Sequence, residues 1–140
     1  MGRRVSREVA MKLVYQTAIQ KSDREWQLDF ALENKSFTNK DRQYIKDIVY
    51  GIFNNIEELD SLIEKHAIGW KLNRISKVDL SILRIGIYEI LFREDIPYNV
   101  SINEAVEMAK KYSTREAGSF INGILSKIPK LQVSSMQNDM

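Results

Sequence analysis

Residues 76–92 read SKVDLSILRIGIYEILF, and this stretch decides the fold. Leu80, Ile82, Leu83, Ile85, Ile87, Ile90, Leu91 and Phe92 keep a helical period but occupy most sides of the helix. A helix that is apolar on most sides belongs at the centre of a helical protein. Its start is written in S-K-V-D, where Ser76 caps and Asp79 takes the glutamate position of a capping box, so the spacing predicts a helix over about 77–93.

Downstream, Ile96-Pro97 breaks the chain. Ser101-Ile-Asn-Glu104 is a full S-x-x-E box and predicts a helix from there to about Tyr112. A last helix is expected over about 115–128, with Phe120, Ile121, Ile124, Leu125 and Ile128 inward and Pro129 as its stop. The remainder, LQVSSMQNDM, has no periodicity, so residues 132–140 are expected to form a disordered tail.

Upstream, a first helix over about 4–21 places Val5, Val9 and Leu13 on one face and Arg3, Arg4 and Arg7 on the opposite one. A short helix near 24–33 brings Trp26 and Phe30 four residues apart. A third, about 40–54, can be capped by Thr38 or Asn39 and carries a doubled stripe, Tyr44/Ile45, Ile48/Val49 and Ile52/Phe53. A fourth, about 56–67, turns Leu59, Leu62 and Ile63 inward and stops before Gly69. With only two prolines and six glycines, the fold class is all-α, about seven helices in a single domain over residues 1–131, loosely divided near residue 70.

A chain of 140 residues with 44% hydrophobic and 29% charged content has the composition of one globular domain. No run approaches the ~20 apolar residues of a membrane span, and no apolar core follows the N-terminal arginines as a secretory signal would require. The absence of cysteine excludes disulfides, thiolate metal sites and cysteine nucleophiles, and suits a cytoplasmic setting. Charge is polarised along the chain. Residues 1–24 carry six Lys/Arg against two acids, residues 25–107 ten against fifteen, and residues 108–131 five against one. If the two basic ends meet, they make one surface that attracts polyanions.

Catalytic chemistry is missing. The single histidine, His66, stands beside Ala67 near a helix end, where packing or capping explains it better than base catalysis. No spaced His/Asp/Glu cluster suggests a metal, and neither G-x-x-x-x-G-K-[ST] nor G-x-G-x-x-G is present to cradle a nucleotide. Glu57-Glu58 and Glu94-Asp95 are adjacent acids at helix ends, suited to solvated or capping roles. No enzyme activity and no cofactor are expected.

Binding chemistry remains. Arg3, Arg4 and Arg7 offer guanidinium groups that can grip phosphate bidentately, at a helix start that also favours anions; the alternative is a solvated basic face. Lys110, Lys111 and Arg115 precede Phe120-Ile-Asn122-Gly. A ring and an amide beside basic residues are the tools of single-stranded RNA readers, although Phe120 also fits the apolar register of its helix. Asp79, Glu89, Glu94, Asp95, Glu104 and Glu107 form an acidic second half that would repel nucleic acid but accept a basic protein, or serve only as a solubilising face. A helical adaptor working through that half is therefore a second reading, and a DNA-binding module, for which no helix-turn-helix spacing is present, a weaker third.

Five segments in order carry a family likeness: RRVSREVA (3–10), DRQYIKDIVYGIFNNIEELD (41–60), VDLSILRIGIYEI (78–90), IPYNVSINEAVEMAKKY (96–112) and FINGIL (120–125). Together they closely resemble the NusB family of bacterial transcription antitermination factors, over about residues 3–128. The resemblance implies two packed helical sub-bundles, here about 1–70 and 71–131, and no catalysis. It implies binding of boxA-type single-stranded RNA from ribosomal RNA leaders, together with a small ribosomal-subunit protein (NusE), and joining of RNA polymerase to suppress termination. Carried over by position, the RNA contacts are Arg3, Arg4, Arg7, Lys111, Arg115, Glu116, Ser119, Phe120 and Asn122, and the protein-partner residues Asp79, Glu89 and Glu104. Val5 stands where family members often have a further basic residue, which implies weaker RNA binding without the partner. Helical domains of this kind can also pair through an apolar strip, so a homodimer that hides the RNA surface is a further expectation. The same fold serves as the RNA-binding segment of some ribosomal RNA cytosine methyltransferases, whose S-adenosylmethionine domain is not expected within these 140 residues.

Overall fold

The computed structural model describes residues 2–20 and 24–129. The expected end of the first helix at residue 21 and the expected tail at 132–140 lie outside them. Among the described residues there are seven α-helices and no strand: α1 (Arg3–Ile19), α2 (Arg24–Leu32), α3 (Asn39–Asn54), α4 (Ile56–His66), α5 (Lys77–Phe92), α6 (Tyr98–Tyr112) and α7 (Arg115–Leu125). A 3-10 turn, Leu72–Arg74, which sequence periodicity does not reveal, precedes α5. No helix among the described residues is long and apolar enough to cross a membrane.

The chain divides into two compact units, Met1–Asn54 and Asn55 onward. The division lies ahead of the boundary expected near residue 70, because α4 is fastened to α5. Arg84 grips Asp60 with both nitrogens, Nε to Oδ1 at 2.8 Å and Nη2 to Oδ2 at 2.9 Å. Gly69, with φ +82°, ends the α4 region as foreseen, but it marks a turn inside the second unit.

In the first unit, α1 packs on α3 and α2. The doubled stripe of α3 is buried as predicted at Tyr44, Ile45, Ile48, Val49 and Ile52, with Phe53 half-buried. The inward face of α1 differs from the sequence expectation. Ser6, Arg7, Ala10, Met11, Leu13, Val14 and Thr17 are buried, whereas Val5 is 42% exposed and Val9 half-buried. A polar contact sets this rotation: Ser6 Oγ donates to Asp41 Oδ1 at 3.0 Å. Since one residue is about 100° of helix, turning Ser6 inward carries Val5 out and draws Arg7 in. Asp41 is held in a capping box at the start of α3, its Oδ2 accepting the Thr38 N–H at 2.8 Å while its own N–H donates to Thr38 Oγ1 at 3.1 Å.

In the second unit, α5 is central, as its all-round apolarity requires. Every residue from Ser81 to Ile90 is buried except Arg84. A Cβ at Gly86 would lie 2.7 Å from Leu125 Cδ1, so this glycine permits the close approach of α7. Ser76 Oγ accepts the Asp79 N–H at 3.1 Å, forming the predicted cap. The start of α6 is a correction: it begins at Tyr98, with Pro97 as cap at φ −60° and its carbonyl accepting the Ser101 N–H at 3.2 Å. Ser101 sits inside the helix because its hydroxyl is spent elsewhere, donating to the buried Glu89 Oε1 at 2.8 Å. The true N-cap of α7 is Thr114, whose Oγ1 accepts the Ala117 N–H at 3.0 Å. α7 ends at Leu125, three residues before the expected stop, and Ile128 is nonetheless buried.

Candidate nucleic-acid interface

In the first unit, Arg3 and Arg4 occupy the exposed first turn of α1. The Arg3 guanidinium lies 4.4 Å over the Tyr44 ring, a cation–π contact that leaves its outer edge to solvent. Arg7 behaves differently: it is only 3% exposed and stacks 5.8 Å from the same ring. The expectation of three arginines pointing away from the core is corrected to two outward arginines and one packed inside.

In the second unit, the α6–α7 pair forms a groove of about 860 Å³. Its polar lining is Lys110 and Arg115, the amides of Asn99, Asn103 and Asn122, and the Ser119 hydroxyl. Ala117 and Gly118 are buried and let α7 lie close on α6, while Ser119 and Asn122 are exposed on the groove side. Asn122 is therefore not a satisfied buried amide. Arg115, Ser119 and Asn122, expected from the resemblance, are brought together here. Lys111 is exposed but turned aside, its Nζ 5.3 Å from the Tyr112 ring, and Lys110 takes the place in the groove. Asn99 and Asn103 were not foreseen. Their signal is in the sequence, since 99, 103, 106 and 110 follow the 4-3-4 spacing of one helix face.

Phe120 and Glu116 line a different cavity of about 350 Å³, with Trp70, Arg74 and Asp79. Phe120 is half-buried and meets Trp70 edge-to-face, ring centres 6.0 Å apart. It thus combines packing with an open edge, where the sequence left core and stacking as alternatives. Trp70 and Arg74 were not foreseen as site residues, because they lie around the unforeseen 3-10 turn.

Of the acids assigned to a protein partner, Glu89 is corrected outright. It is 0% exposed and holds Ser101, so it cannot touch another molecule. Asp79 lines the cavity beside Trp70, and Glu104 is half-buried on α6. His66 lies half-buried in the last turn of α4, its buried Nε2 without a partner. Burial, with Lys127 and Lys65 adding to it, lowers its pKa. Among the described residues no group of three or more His, Cys, Asp or Glu could hold a metal ion.

Comparison with known proteins agrees with these features. The model of the NusB family matches residues 4–130. A curated relative from Ruminiclostridium cellulolyticum, named transcription antitermination protein NusB, is 62% identical over 130 residues, covering 93% of this chain and 90% of its own. A solved structure of T. maritima NusB superposes with a TM-score of 0.86 at 37% identity, covering 93% of this chain and 92% of that one. A second, described as the antitermination factors NusB and NusE in complex with dsRNA, superposes with a TM-score of 0.80 at 32% identity, covering 92% and 96%. Matched by the family model over nearly its whole length, this chain belongs to the NusB family.

Proposed function

We propose that this chain is a non-enzymatic transcription antitermination factor of the cytoplasm. It binds boxA-type single-stranded RNA of ribosomal RNA leaders together with a small ribosomal-subunit protein (NusE), and joins the RNA polymerase elongation complex to suppress termination. The observation that carries this reading is the α6–α7 groove, where two cations stand among three amides and a hydroxyl. Cations track the phosphates, and amides read base edges that only an unpaired strand exposes. Arg3 and Arg4 supply phosphate contacts from the first unit, and Glu104, with the exposed Glu94 and Glu107, meets the basic partner. The name of the curated relative and the NusE and RNA in the related structure support the same reading.

Titration of boxA-type RNA against a scrambled sequence, with and without the ribosomal protein, tests it. Preference for boxA that strengthens with the partner is expected. Equal, weak binding of both RNAs in every condition would overturn sequence recognition.

A further inference from the structure

The cavity at the start of α5 and α7 is not explained by backbone tracking. Its walls are aromatic at Trp70 and Phe120, and Trp70 is 53% exposed, an unusual position for a ring of that size. Its polar groups are Arg74, Asp79 and Glu116, with the Thr114 hydroxyl already engaged in capping α7. Asp79 carries the clearest anomaly. The cap at Ser76 uses the Asp79 N–H, and the carboxylate Oδ1 is buried without any hydrogen-bond partner. A buried acceptor left unpaired calls for an explanation. The terminal torsion of aspartate is broad, so a small rotation presents that oxygen to a ligand in the cavity.

We infer that this cavity seats one guanine base of the bound RNA, stacked on Trp70 and held through its Watson–Crick edge by Asp79. The inference rests on the RNA-binding reading above. Guanine alone among the four bases presents two adjacent donors, N1–H and N2–H, which match the two oxygens of a carboxylate as a guanidinium fork does. Adenine and cytosine pair one amino group with a ring acceptor, and uracil flanks one N–H with carbonyls, so each would set an acceptor against Asp79. Glu116 repels phosphate and therefore favours a neutral base at this point over the backbone. An arginine from a partner protein offers the same fork and would also stack on tryptophan. It brings only donors and a positive charge towards Arg74, however, whereas guanine offers that residue its O6 and N7 acceptors.

The test uses the full chain and a boxA-type single-stranded RNA in which each guanosine is replaced in turn by inosine, which lacks the N2 amine. One replacement should weaken binding about tenfold, and Asp79→Asn should weaken the guanosine RNA by a similar factor. The two losses should coincide in the double change instead of multiplying, because they remove the same contact. Trp70→Ala should weaken both RNAs alike, with helical content unchanged. Tight binding that is indifferent to inosine at every position, or losses that multiply, would overturn the guanine site while the RNA-binding reading stands. Failure of both RNAs to exceed a scrambled control would remove that reading too. If Asp79→Asn leaves RNA binding intact and instead releases the basic ribosomal protein, the cavity holds a partner's arginine and the inference is overturned.

Discussion

The arginine arm yields a prediction in which sequence and structure disagree by a measurable amount. For a single-stranded RNA, each phosphate neutralised contributes about 0.7 to the slope of log K against log salt. Three equivalent arginines would together contribute about 2. The structure leaves Arg3 and Arg4 exposed and packs Arg7 against Tyr44 at 3% exposure. Arg3→Ala with Arg4→Ala should therefore flatten the slope by about 1.4, and Arg7→Ala should leave it unchanged. Stability should move the other way. Losing the stacked guanidinium and its buried stem should cost about 1–2 kcal/mol, lowering Tm by roughly 4–8 °C, while the exposed pair shifts it little. Fluorescence titrations across a salt series give the slopes, and thermal denaturation by circular dichroism gives Tm. If Arg7→Ala lowers the slope by about 0.7 with no loss of Tm, the side chain leaves Tyr44 for phosphate and the reasoning from burial fails.

Two further outcomes follow from buried polar contacts. Ser101→Ala removes the donor from a carboxylate that is 0% exposed, and should cost about 1–3 kcal/mol without changing affinity for the basic partner; unchanged denaturant stability with weakened partner binding would return Glu89 to the surface. The Thr38 N–H, helped by the hydroxyls of Ser6 and Thr38 and opposed by desolvation, lowers the Asp41 pKa from 3.8 to about 2. An unfolded carboxyl takes up its proton near the ordinary value and the folded one resists until about 2, so this stabilisation is present above about pH 4 and drains away towards pH 2. Tm recorded at steps across that window should fall less steeply in Asp41→Asn, and parallel curves would show that another group dominates.

What could be read from the sequence was whatever depends on period. All seven helices and the central place of α5 follow from the spacing of apolar residues, and the caps at Thr38 and Ser76 from local donor chemistry. What could not be read depends on contacts between distant residues. Val5 and Ser6 compete for the inward face of α1, and hydrophobicity alone favours Val5. The partner that decides for Ser6 is Asp41, 35 residues away. Ser101 and Glu104 satisfy the pattern of a capping box, but Glu89, twelve residues earlier, claims the Ser101 hydroxyl. The candidate site divides along the same line. Arg115, Ser119 and Asn122 share one short helix face and were expected together, whereas Trp70 joins Phe120 only through tertiary folding across 50 residues.

The same distinction changes the meaning of the charge pattern. Counted along the chain, residues 25–107 carry ten cations against fifteen acids and suggest an acidic surface. In the fold many of those acids are committed. Asp41 caps α3, Asp60 clamps Arg84, Glu89 is buried, and Asp95 accepts from Arg93 Nε at 3.0 Å and Nη2 at 2.8 Å. The field available to a basic partner is correspondingly smaller than the count implies. At the groove the balance runs in the opposite direction. Lys110 is paired with Glu107, but at 3.5 Å and with both side chains about half exposed. Such a pair is worth about 0–1 kcal/mol, less than a cation gains from a phosphate placed beside it with Arg115 close by. Lys110 can therefore leave Glu107 for RNA at little cost, and that freed carboxylate then adds to the acidic charge offered to a basic partner.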